Sequence, residues 1–175
     1  MLKKRIIATL ILKNNWVVQS IGFKKYLPIG SLNVSLEYLN KWGVDEIIIL
    51  DIDASKDNRP PNFDSIRSAS KIIQTPLSVG GGISSIDDMI KIIKVGADKV
   101  VINTAFLKNP EIVNEGAKYF GNQCIVVSID IKKNENGDYQ IFNRNFDCNT
   151  IQIEEVLKQA QSLGAGEIFI NSVDK

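Results

Sequence analysis

Short runs of aliphatic and β-branched residues alternate along the chain with longer stretches in which apolar positions recur every three or four residues. The runs Arg5 to Leu12, Glu46 to Asp51, Leu77 to Val79, Lys99 to Asn103, Cys124 to Asp130 and Glu167 to Asn171 predict strands. Amphipathic stretches at about 32–42, 62–73, 85–94, 110–119 and 152–162 predict the helices between them. Such alternation is the signature of βαβ units around a parallel sheet. The stretch 132–149 breaks the rhythm and reads as a hairpin turning at Asn136-Gly137. No low-complexity linker interrupts the chain, so a single domain over residues 1–175 is expected.

An internal repeat sharpens the architecture. Glu37 to Leu50 (EYLNKWGVDEIIIL) aligns with Lys158 to Asn171 (KQAQSLGAGEIFIN) at an offset of 121 residues, and Arg5 to Leu12 falls opposite Cys124 to Lys132 at about 119. One repeat therefore carries four βα units. Two repeats would make eight strands in about 240 residues, the size of a (β/α)₈ barrel of the TIM type. This chain reaches only the sixth strand, so the expectation is an α/β barrel truncated after about six strands. A doubly wound open sheet is the alternative, but it would not by itself explain a four-unit repeat.

Composition narrows the function classes. With 175 residues and 44% apolar content the chain can bury a sizeable core. Apolar runs such as Ile47 to Leu50 and Ile125 to Val127 fall far short of the roughly 20 residues that span a bilayer. The basic start Lys3-Lys4-Arg5 leads into an apolar stretch interrupted by Lys13 and lacking a cleavage pattern, which reads as the first strand of a cytoplasmic protein without a membrane partner. The net charge of +1, with both signs interspersed, provides no footprint for nucleic acid. Cys124 and Cys148 have neither the number nor the spacing of a disulfide framework or zinc site, and Cys124 reads as a small core residue. No metal or cofactor is expected. The chain has no histidine, so acid-base chemistry must come from carboxylates, lysine or tyrosine.

In barrels of this kind the reacting groups sit where strands end, at the C-terminal face. One strand ends in Gly80-Gly81-Gly82 and the next in Ile102-Asn103-Thr104. Backbone N–H groups of consecutive glycines, with Asn and Thr donors beside them, suit a phosphate; the plainer alternative is a tight strand-to-helix turn. Asp51, Asp53, Asp130 and Asp174 bring carboxylates to the same face. Asp130 shares a strand side with Cys124, Val126 and Ser128 and suits an acid or base, or equally a cap or loop acceptor. At the opposite face Arg5, Glu46, Lys99 and Glu167 each open a strand and suit a ring of ion pairs, read from sequence as a stability plug. Above them Ile7, Thr9, Ile11, Ile48, Val101 and Phe169 read as a packed core or the lining of a narrow passage.

The blocks KRIIATLIL, DEIIILDIDAS, PLSVGGGIS, GADKVVINTAFLKNP, FGNQCIVVSID and LGAGEIFINSVD resemble, in the same order, the cyclase subunit of imidazole glycerol phosphate synthase, a lyase of histidine biosynthesis. The resemblance covers all 175 residues. It implies a phosphate site at Gly81, Gly82, Asn103 and Thr104 and a catalytic role for Asp130. It further implies an ammonia gate at Arg5, Glu46, Lys99 and Glu167, with a glutaminase subunit docked at the barrel bottom near Asp98.

Departures accompany the resemblance. The family places an aspartate at the end of its first strand, where this chain has Ile11. Gln19 and Asn171 replace a lysine and a threonine, and the loop 17–30 is unlike the usual version. In these features the chain is similar to cyclase-like subunits that accompany sugar amidotransferases in surface-polysaccharide biosynthesis. The leading expectation is a barrel subunit that receives ammonia and supports amidation of a phosphorylated or nucleotide-linked sugar, with intrinsic cyclisation weakened at Ile11. The alternatives are the histidine-pathway cyclase itself, acting on a phosphorylated ribonucleotide, and a non-catalytic barrel fragment that binds a glutaminase.

Overall fold

The computed structural model describes residues 4–143, 148 and 151–174. Strands and helices follow one another as β1 (Ile7–Lys13), β2 (Trp16–Ile21), β3 (Lys25–Ser31), α1 (Leu32–Trp42), β4 (Glu46–Asp51), α2 (Phe63–Ile72), β5 (Leu77–Gly80), α3 (Ile86–Lys94) and β6 (Lys99–Ile102). Then come α4 (Thr104–Lys108), α5 (Glu111–Phe120), a 3-10 turn (Asn122–Cys124), β7 (Ile125–Lys133), β8 (Tyr139–Ile141), α6 (Ile153–Ser162) and β9 (Glu167–Ser172). The fold is α/β, of the (β/α) barrel type, and divides into two compact units. One comprises Met1–Gln19 with Tyr26–Val100, the other Ser20–Lys25 with Val101–Lys175.

In the first unit β4 lies between β1 and β5, parallel to both, with Ile7 opposite Glu46 and Ile47 opposite Leu77. Five of the six β4 residues are buried, as expected of a parallel strand covered on both faces. Helices α1 and α2 pack on each other and α2 on α3, with Leu36, Ile66, Met89 and Ile92 at their buried faces. Each helix has a stop or start written locally. Gly43 takes the left-handed conformation (φ 70°) that ends α1, and the Asn62 carboxamide oxygen accepts the Asp64 and Ser65 N–H groups that open α2.

The segment 17–30 is not a loop. It forms β2 and β3, with β1 and β2 joined as an antiparallel hairpin in which Lys13 pairs with Trp16. The connecting Asn14 and Asn15 have φ of 49° and 62°, the two-residue turn whose backbone twist matches that of its strands.

In the second unit β7 runs parallel to β9, with Val126 opposite Glu167, and antiparallel to β8, with Ile131 opposite Ile141. The expected hairpin is there, turning through residues 134–138, where the Asn134 side chain accepts from the Asn136 and Asp138 N–H groups. Its far end at 144–147, 149 and 150 lies outside the described residues. Cys124, expected in the core, is only half-buried in the 3-10 turn, while Cys148 is buried. Among the described residues no helix is long and apolar enough to cross a membrane.

Candidate functional site

Strand ends place the candidate residues, beginning with the N-terminal ends in the first unit. Glu46 opens β4 and is 1% exposed. Its Oε2 accepts from Lys99 Nζ at 2.8 Å and lies 3.9 Å from Arg5 Nη1, while its Oε1 accepts from Ser78 Oγ at 2.6 Å. Arg5, Glu46 and Lys99 thus come together, with buried Ser78 as a partner that sequence reading missed. A lone serine inside an apolar strand carries no signal until the strand register sets it beside Glu46, in line with Ile48. Glu167, half-buried at the start of β9, belongs to the second unit. Asp98 is exposed just before β6; its carboxylate accepts the Leu77 N–H at 2.8 Å. Beside it a cleft of about 370 Å³ is lined by Ser70, Ile73, Thr75, Pro76 and Gly96. Thr75 Oγ1 is buried there without a hydrogen-bond partner among the described residues.

At the C-terminal ends of β1, β4 and β5 a second set of charges holds the loops. Asp51 is buried and forms a two-pronged pair with Arg59, Nη1 to Oδ2 at 2.8 Å and Nη2 to Oδ1 at 3.2 Å. That hydrogen-bonded pairing raises the Arg59 pKa above its ordinary value against the opposing effect of burial. Asp51 Oδ1 also accepts the Asp53 and Ala54 N–H groups, so Asp51 organises its own loop. Asp53 accepts from Lys13 Nζ at 3.0 Å and from the Asn14 N–H at 2.8 Å. Burial opposes its ionisation, but the Asn14 and Lys13 hydrogen bonds and the nearby cations outweigh it and hold its carboxyl below the usual value. Lys13 Nζ also sits 5.0 Å from the Tyr26 ring centroid. Ile11, half-buried on β1 between Val18 and Leu50, offers no ionisable group, and Gln19 is exposed on β2.

The glycines have a packing reason beside any binding one. A Cβ on Gly81 would lie 2.1 Å from the Asp51 carbonyl oxygen, and one on Gly82 would lie 2.0 Å from that of Arg59. Both have positive φ, 104° and 67°. The turn after β5 must therefore be glycine for the 51–59 loop to close over it.

In the second unit Asp130 lies near the C-terminal end of β7, held from both sides by carboxamides. Asn103 Nδ2 donates to its Oδ2 and Asn171 Nδ2 to its Oδ1, each at 2.9 Å. Asn143 Nδ2 reaches Asn103 Oδ1 and Thr104 Oγ1, both at 3.4 Å, a contact that the sequence reading did not foresee. These two carboxamide donors fix the carboxylate in place near the strand end, where a proton acceptor could act. Among the same-parity residues of the passage reading, Ile48 is buried and Ile7 and Thr9 are exposed in the first unit; Val101 is buried and Phe169 half-buried in the second. Among the described residues no group of three or more His, Cys, Asp or Glu side chains could hold a metal ion.

Residues 5–175 match the family model described as histidine biosynthesis protein. A protein of Vibrio vulnificus (strain YJ016), provisionally named imidazole glycerol phosphate synthase subunit hisF2, is 43% identical over 176 residues, covering 100% of this chain and 64% of that protein. The imidazole glycerol phosphate synthase subunit HisF of Natranaerobius thermophilus is 41% identical over 99% of this chain and 69% of its own length. The subunit of the same name from Streptococcus mutans is 39% identical over 100% of this chain and 70% of its own. The chain thus spans about two thirds of the length of the curated relatives it matches. Because the match runs through every strand and helix that carries the residues described above, the chain belongs to the histidine biosynthesis protein family.

Proposed function

We propose that the chain acts as a cyclase-type subunit of imidazole glycerol phosphate synthase, taking up ammonia and closing a ring on a phosphate-bearing ribonucleotide. The observation that carries this reading is 41% identity over 99% of the chain to a subunit of that name. The geometry is compatible with it. Asp130 is held by Asn103 and Asn171 at a strand end, where a proton acceptor would act. Gly81 and Gly82 after β5 are candidates for holding the substrate phosphate, and so, in the second unit, are Asn103 and Thr104 after β6. The buried Glu46, bound by Lys99 and Ser78 and near Arg5, would admit ammonia made by a glutaminase subunit docked near Asp98.

Ile11 favours a second reading. It leaves the first strand without a carboxylate, so a subunit that passes ammonia on to a phosphorylated or nucleotide-linked sugar, alongside a sugar amidotransferase, would need no second acid there. Supplying glutamine, a glutaminase and either the aminated ribonucleotide precursor or an acceptor sugar, and identifying the product, separates the two.

A further inference from the structure

In the glycine turn the N–H of Gly82 is not free to meet an anion. The Gly82 N–H donates to Ser55 Oγ at 3.0 Å. At the adjoining start of α3 the Asp88 N–H donates to Ser85 Oγ, and the Ser84 N–H donates to Asp88 Oδ2. Ser55 therefore stands between Gly82 and any ligand that this N–H would meet. A hydroxyl can accept and donate at once, and Ser55 Oγ has no acceptor for its own proton among the described residues. Accepting from an N–H also polarises the O–H and strengthens it as a donor. Ser55 and Gly82 are both half-buried, so solutes can reach them.

The loop that carries Ser55 is rigidly set. The neighbouring Ala54 N–H and Asp53 N–H bind Asp51 Oδ1, Arg59 grips the same carboxylate, and the loop backbone packs against the space where a Gly82 side chain would be. A donor held in position before binding loses little entropy on meeting its ligand.

We propose that Ser55 is the anion-contacting residue at this strand end: its hydroxyl, oriented by the Gly82 N–H, donates a hydrogen bond to a phosphate monoester oxygen. Gly82 then acts through Ser55 and not on the ligand directly. This inference rests on the phosphate reading above and adds a residue which that reading does not contain.

The test is calorimetric titration of the full chain with inorganic phosphate and with a sugar monophosphate. Ser55→Ala should weaken binding about tenfold or more, the effect of losing a hydrogen bond to a charged group. Ser55→Cys, close in size but a poor donor, should weaken it similarly, and Ser55→Thr should stay within about threefold of the parent. Melting curves of the variants establish that they fold. Binding by a folded Ser55→Ala or Ser55→Cys protein as tight as the parent's would overturn the role of Ser55 and leave the phosphate reading standing, with Gly82 meeting the anion itself. Absence of binding by the parent would overturn the phosphate reading and this proposal together.

Discussion

Glu46 and Asp130 are both carboxylates near strand ends, and their surroundings differ. Glu46 is sealed at the start of β4 by Lys99 and Ser78, with Arg5 further out, whereas Asp130 is half-buried and accepts from the Asn103 and Asn171 carboxamides. Breaking a buried ion pair by removing one partner typically costs roughly 3–5 kcal/mol. Lys99→Ala should therefore lower stability by an amount of that order in urea titration. In a complex with a glutaminase it should also change the ratio of glutamine-supported to ammonium-supported turnover, because only ammonia arriving from the base meets this cluster. Equal losses in both activities would favour the plug reading. Charged residues that open apolar strands are conspicuous, so Arg5, Glu46 and Lys99 were legible in the sequence. Ser78, Ser55, Arg59 and Asn143 were not, because serine and asparagine occur everywhere and only strand register and loop closure give these their partners.

At the scale of elements, the helices followed their apolar spacing: α1 spans Leu32–Trp42 as expected, and the other expected helices shift by about a residue at their ends. The short α4 was not expected, since five residues hold too little periodicity to read. The hairpin of β2 and β3 was also hidden. Gln19 and Ser20 interrupt the apolar pattern of β2, and Pro28 argues against a strand unless that strand lies at an edge, as β3 does. Caps form where their chemistry is local. Ser85 caps α3 through the Asp88 N–H, and Asp88 returns to the Ser84 N–H and hydroxyl. Burial opposes ionisation of Asp88, but the Ser84 and Ser85 hydrogen bonds outweigh it and lower its pKa below the usual 3.8. A carboxyl depressed in the folded state stabilises the fold above its unfolded pKa, and that contribution is lost as pH falls through the folded value. Asp88→Asn should thus cost about 1 kcal/mol at neutral pH and flatten the acid limb of a stability profile below about pH 4. A variant whose acid limb matched the parent's would show that Asp88 contributes nothing through its charge.

For the molecule as a whole, each unit leaves apolar surface uncovered. In the first, Val34, Tyr38 and Trp42 form an exposed stripe along α1, and Ile6 and Ile7 are exposed at the start of β1. In the second, Ile168 and Ile170 are exposed on β9. Contiguous apolar surface of this kind favours association. A polypeptide of these 175 residues should therefore scatter light as more than a monomer at rising concentration, and a stable monomer would contradict the expectation. The parallel α/β architecture was legible from the order of strands and helices. Ring closure by this chain is tested by turnover of the aminated ribonucleotide precursor with ammonium salts, with Asp130→Asn and Ile11→Asp beside the parent. A positioned acid or base contributes roughly 10²–10⁴-fold. Slow formation of the imidazole product is expected, lost in Asp130→Asn and raised in Ile11→Asp. Imidazole formation indifferent to Asp130, or amidation of a sugar with no imidazole product at all, would contradict it.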